Sequence, residues 1–245
     1  MTNAPDMALG RDAALTYLTG GMAEGAVRPR HLGEKFTPDG APLPFPGNTT
    51  LCHLDPQSAA HAAVTHAQAQ LRSGPLADSF AFLPPASFHM TVFEGVNDAH
   101  RVPERWPADL SLGTPLGDVT QHFETALAAC DLPQRFTISP LELFAGFAIS
   151  VTGATAPDLR TMRAARDRMS AALHLRRPDH DRYRFHITLA YPLRWFNADE
   201  ASAIVDLCEE IFAGLAPAMG TVPLGPIAFC QFETMHRFDP LRLLT

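Results

Sequence analysis

Two short segments carry residue types that can move protons around a phosphate: His89-Met90-Thr91 and His186-Ile187-Thr188. Both lie in apolar runs of strand character, Ser87–Phe93 and Arg184–Leu189. Successive side chains of a strand alternate between its faces, so His89 and Thr91 project together while Phe88, Met90 and Val92 take the core side. In the second segment Arg184, His186 and Thr188 share the polar face, and Phe185, Ile187 and Leu189 turn inward. Each pair sets an imidazole and a hydroxyl about 7 Å apart, given a rise of ~3.3 Å per residue. One such histidine on its own is most simply structural, satisfied by a carbonyl or by water. Two matched pairs offer a general base, a general acid and two hydroxyls for anionic oxygens. A phosphodiester needs that set. Two imidazoles titrating near neutrality can activate water and protonate the leaving alkoxide in one in-line displacement, without a metal. Sequence does not say which histidine plays which part.

Other residues are candidates for binding the substrate. Arg184 is either a cation for the developing phosphorane or a solvated strand residue. Lys35, the only lysine beside 18 arginines, and Asn48 belong to a Pro- and Gly-rich stretch running through Pro44-Phe45-Pro46-Gly47-Asn48-Thr49. They can line a cleft and hold phosphate or base, although turn chemistry favours a packing arm. Tyr191 can stack on a base, yet alternation points it, like Tyr183, to the core unless a bulge intervenes. His236 sits at a cleft edge or caps a terminal strand. His53, His61 and His66 are spaced 8 and 5 apart, which puts them on no common helical face. No ligand cluster stands out, so neither a metal nor another cofactor is expected.

The elements that must position these groups follow from periodicity and punctuation. A helix is expected within 5–25, ended by Gly20-Gly21, then an arm to residue 48. A strand over 49–54 precedes a helix from Asp55-Pro56 to Arg72, and strands over 80–83 and 88–95 follow. Beyond a Pro-rich connection, 97–116, come a helix to Cys130 and strands over 135–138 and 141–152. The clearest helix spans 157–175, with Leu159, Met162, Ala165, Met169, Ala172 and Leu173 on one face. A strand over 183–191, a helix over 198–213 and two closing strands complete the chain. A strand, a Pro-opened helix and a His-x-Thr strand thus occur twice, with the histidine 33 residues after Pro56 and 29 after Pro157. The resulting division is an arm, 1–48, a first His-x-Thr half, 49–96, the connection, and a second half with the terminal strands, 117–245.

Composition limits the partners. With 46% hydrophobic and 18% charged residues the chain is globular in type, and no run approaches the ~18 apolar residues of a membrane span. The net charge of −7 argues against a broad nucleic-acid surface, although nine of the arginines fall between Arg160 and Arg194. Four scattered cysteines and no secretory signal suit a reducing cytoplasm.

The paired motifs resemble those of the 2H phosphoesterase superfamily, which includes the bacterial RNA 2′,3′-cyclic phosphodiesterases once called 2′-5′ RNA ligases. Gly33-Glu34-Lys35-Phe36, Pro44 to Thr49, His89 to Val96 and Met235-His236-Arg237-Phe238 are similar to one bacterial branch, catalogued as a domain of unknown function. The resemblance implies an α+β, bilobal fold of two pseudo-symmetric lobes, each an antiparallel sheet with outer helices, around a central cleft. It also implies His89 and His186 as acid and base, with Thr91 and Thr188 as phosphate ligands. The substrate class it implies is a 2′,3′-cyclic nucleotide or an RNA-end cyclic phosphate. The alternative is a nucleotide- or phosphate-binding module with little chemistry. The arm and the long connection set this chain apart from compact members, and they could roof the cleft and change the substrate.

Overall fold

The computed structural model describes residues 6–23 and 25–245, so Pro5 and Glu24 of the expected first helix lie outside the described residues. In chain order the elements are α1 (Arg11–Leu18), β1 (Gly47–His53), α2 (Ala59–Arg72), β2 (Phe80–Phe82), β3 (His89–Asn97), α3 (Leu116–Ala128), β4 (Phe136–Phe144) and β5 (Ala148–Gly153). They continue with α4 (Ala156–Ala172), β6 (His186–Thr188), β7 (Ala190–Pro192), α5 (Ala198–Met219), β8 (Val222–Leu224), β9 (Ile227–Thr234) and β10 (Arg237–Leu244). The fold is α+β.

Helix ends follow local chemistry. Thr155 caps α4 in a reciprocal box with Asp158, and Asn197 does the same for α5 with Glu200. The helix α2 starts later than its sequence suggests. Ser58 is its N-cap, accepting the His61 N–H at 3.1 Å, and Pro56 stays in the preceding turn, where Asp55 holds the Gln57 N–H. The run 141–152 is not one strand. It folds back through Ala145 and Gly146, at φ 54° and 67°, to make the β4–β5 hairpin.

Eight strands form one antiparallel sheet in the order β10-β9-β1-β3-β6-β5-β4-β8. The expected separate sheets of two lobes are therefore joined, with four strands on each side of a seam where β3 meets β6. The seam is narrow: Met90 opposite Ile187 is its recorded pair. Around it the order β1-β3-β6-β5 is pseudo-symmetric, because β1–α2–β3 and β5–α4–β6 are the two copies of the sequence repeat. The pair β2–β7 forms a small second sheet that ties the halves together.

Alternation sorts the two faces as expected. Phe88, Met90, Val92, Phe185 and Ile187 are buried in one apolar cluster with residues of α2, α4 and α5. A second cluster on the other face joins Phe36 and Phe45 of the arm to Leu51, Tyr191, Cys230 and Phe232. The arm thus packs against the sheet face opposite the helices.

Candidate active site

Register at the seam puts the four motif residues in one square. With Met90 opposite Ile187, His89 stands across from Thr188 and Thr91 across from His186. The histidines lie on a diagonal, about 7–8 Å apart at the backbone. All four line one cleft of about 320 Å³, in the range of small-ligand sites.

Both imidazoles are fixed in the same way. His89 Nδ1 lies 2.7 Å from the Ser87 carbonyl, and His186 Nδ1 lies 2.8 Å from the Arg184 carbonyl. A carbonyl only accepts, so each Nδ1 carries its proton and each Nε2 is left to the cleft. Among the described residues neither Nε2, nor the hydroxyl of Thr91 or Thr188, has a hydrogen-bond partner. Phe238 flanks His89 at 4.3 Å between ring centres, while Phe147 and Tyr183 flank His186 at 5.9 and 6.1 Å.

The electrostatics of the two histidines differ. Burial lowers His89 to about 4, and His53 and His186 push the same way. Burial lowers His186 as well, but the Glu94 carboxylate works against it. Glu94 escaped the sequence reading because parity from His89 and Thr91 does not place it in the cleft. Two bulges in β3 change the parity: Thr50 faces Phe93 while Leu51 faces Thr91, and Asn48 stands opposite the next irregular step. Val92 and Phe93 are both buried on the helix side, and Glu94 turns back to line the cleft. Burial alone would raise Glu94, yet the charges of Arg177, Lys35, His186 and Arg166 hold it below the usual carboxylate range.

The bulged backbone is held by buried side chains. Arg166 Nη1 donates to the Val92 carbonyl at 2.6 Å and Thr50 to that of Phe93 at 3.1 Å. Arg177 donates to the Gly95 carbonyl and lies 3.4 Å from Glu94. These arginines were also missed as individuals, although the crowding of arginine after residue 160 was their signal.

The remaining candidates divide. Lys35 lines the cleft, its ammonium 4.9 Å from the centre of Phe45 and 5.2 Å from that of Tyr191. Tyr191 also lines it, against simple parity, because the N–H groups of Leu189 and Ala190 both donate to the Phe147 carbonyl and the strand shifts by a residue there. Arg184 is not in the cleft. It precedes the three-residue β6, and its Nη1 donates to the Met7 carbonyl at 2.7 Å; its carbonyl, which orients His186, is its contribution to the site. Asn48 reaches the cleft wall, but its amide is committed to the Val96 N–H at 3.1 Å and the Thr120 hydroxyl at 3.0 Å. Those bonds make it a support of the bulge. His236 lies in the β9–β10 turn outside the cleft lining, beside Phe36, and its neighbour Met235 lines the cleft instead.

The arm and the connection meet at one end of the cleft. His100 Nε2 lies 2.5 Å from Glu34, which Arg30 also approaches at 3.7 Å, and the Phe45 ring meets His100 edge-on at 5.8 Å. Among the described residues one group could offer a metal three ligands: Asp167, His180 and Asp181, outside the cleft, where Arg176 already bridges the two carboxylates. No helix among the described residues is long and apolar enough to cross a membrane.

Residues 35–144 match the family described as 2H-phosphodiest, a domain of unknown function (DUF1868). Over 97% of its length the chain is similar to a solved structure, the conserved protein of unknown function ATU0111 from Agrobacterium tumefaciens str. C58. The identity is 34%, the TM-score 0.89, and the whole of that chain is covered. TT0787 of Thermus thermophilus is matched over 80% of this chain and 94% of its own, at 16% identity and a TM-score of 0.36, too remote to bear on the site. No curated protein matches the sequence significantly.

Proposed function

The chain belongs to the 2H-phosphodiest (DUF1868) family, and from that premise we propose that it hydrolyses a phosphodiester, a 2′,3′-cyclic nucleotide or RNA-end cyclic phosphate, by two-histidine acid–base catalysis. The observation that carries this reading is the matched fixing of His89 and His186 through Nδ1, which leaves two Nε2 atoms on one cleft. His89 is the base: held neutral by burial, its Nε2 takes a proton from water as the water oxygen bonds to phosphorus. His186 is the acid, because Glu94 favours its charged form. It gives its Nε2 proton to the departing ribose oxygen as the P–O bond breaks. The two histidines end with their protonation states exchanged. Thr91 and Thr188 donate to the non-bridging oxygens, and Lys35 supplies the cation for which Arg184 was one of the candidates. The scheme routes no step through a metal.

The test is turnover of nucleoside 2′,3′-cyclic phosphates and of other cyclic and linear phosphodiesters. His89→Ala and His186→Ala should each cost roughly 10²–10⁴ in kcat, while chelators leave the rate unchanged. Full activity in either variant would overturn the mechanism. Saturable nucleotide binding with no turnover across the panel would favour a binding module.

A further inference from the structure

The chain carries a net charge of −7, yet its cleft is lined by Arg30, Lys35, Arg105 and Arg177 against only Glu34 and Glu94. With histidines neutral that is an excess of two positive charges. Arg177 is spent on Glu94 and the Gly95 carbonyl, and Arg30 shares Glu34 with His100. Lys35 and Arg105 have no carboxylate within 4.0 Å among the described residues. The two unmatched cations serve different places. The charge of Lys35 bears on His186 and Glu94, at the chemical end. Arg105 comes from the connection and bears on His100, at the end where arm and connection join.

A phosphodiester brings one negative charge, and Lys35 matches it. The chemistry at the scissile group makes no use of a cation at the end where arm and connection join. We propose that the substrate carries a second phosphate, held by Arg105 and Arg30 at the roofed end while the scissile phosphodiester lies between His89 and His186. The Phe45 ring, which touches Lys35 at 4.9 Å and His100 at 5.8 Å, lines the path between the two anionic groups. This inference rests on the phosphodiesterase reading for the identity of the first group. The second phosphate is either terminal, as on the 5′ position of a mononucleotide, or the next linkage of an oligonucleotide.

Calorimetric titration separates these without requiring turnover. The probes are adenosine 2′-monophosphate, adenosine 2′,5′-bisphosphate and a dinucleotide ending in a 2′-phosphate. The bisphosphate should bind at least about tenfold more tightly than the monophosphate, since a charge-assisted contact is worth roughly that much. Arg105→Ala should remove most of the advantage and leave monophosphate affinity unchanged, with Arg105→Lys in between. A dinucleotide that gains as much as the bisphosphate would identify the second group as an internal linkage. Equal binding of mono- and bisphosphate, an advantage that survives the double change Arg30→Ala and Arg105→Ala, or no binding of any probe would overturn the proposal. A preference intact in a protein that turns over nothing would sink the hydrolase reading alone.

Discussion

At the scale of single residues, the site works by separating two chemically identical side chains. His89 and His186 have the same Nδ1 tether and the same buried setting, and Glu94 is the asymmetric element between them. If His89 acts as base, kcat/KM should rise with pH through about 4 as it loses its proton. It should fall again as His186 loses its proton, at a value below the ordinary 6.5. The optimum then lies on the acid side of neutrality. Glu94→Gln removes the carboxylate that raises His186, so the alkaline limb should move to lower pH with the acid limb in place. A pH–rate profile in which the acid limb moves instead would reverse the assignment. Motif residues were legible at this scale because spacing of two on a strand is enough to pair them. Spacing left Arg184 open between two roles, and it lies outside the cleft because its strand is only three residues long and begins after it.

At the scale of elements, β3 decides what the cleft contains. A regular strand would send either Val92 or Phe93 toward the cleft; the bulges keep both in the core and deliver Glu94 instead. The second irregular step depends on Gly95. A Cβ there would stand 2.0 Å from Asn48 Oδ1 and 2.6 Å from its carbonyl oxygen, too close for either to stay. Gly95→Ala should therefore destabilise the protein by about 2–4 kcal/mol. Asn48→Ala, which leaves the Val96 N–H buried and unpaired, should cost about 1–3 kcal/mol. Denaturant melts measure both. Substitution at Asn48 without loss of stability would restore it as a candidate for binding the substrate. Sequence alternation located β3 but not its bulges, because these are stabilised by side chains from elsewhere: Arg166 and Arg177 as donors and Asn48 Oδ1 as acceptor.

At the scale of the whole molecule, the arm closing over the sheet buries groups that would rather be charged at low pH. His31, packed 4.6 Å from Tyr191, is lowered to about 3 by burial first and then by Lys35 and Arg30. His89 is lowered to about 4. The unfolded chain takes up these protons near 6.5, the folded chain only at the lowered values. Stability is therefore full above about 6.5 and drains as pH falls toward 4 and 3, by about 1.4 kcal/mol per pH unit for each histidine. Thermal melts between pH 7 and pH 4 should show this loss, and His31→Gln should make it shallower. A transition temperature flat over that range would contradict the burial of both rings. The same closure explains why roof residues such as His100 and Glu34, which pair across the cleft end, could not be paired from sequence, since they lie 66 positions apart.

What the sequence alone determined are properties of local period and type. Alternation separated His89, Thr91, His186 and Thr188 from Phe88, Met90, Phe185 and Ile187, and the repeat put the two His-x-Thr strands at equivalent places in the chain. The tertiary structure decided what depends on contacts between distant segments. It joined two expected sheets into one at Met90 and Ile187, and turned Glu94 and Tyr191 into the cleft through bulges. It drew Arg184 and His236 away, and brought Lys35 in on the arm. The physical reason is common to these cases. A side chain's face is set by backbone geometry over two or three residues, but a bulge or an arm is held by donors and rings from far along the chain. Those partners exist only once the fold has formed.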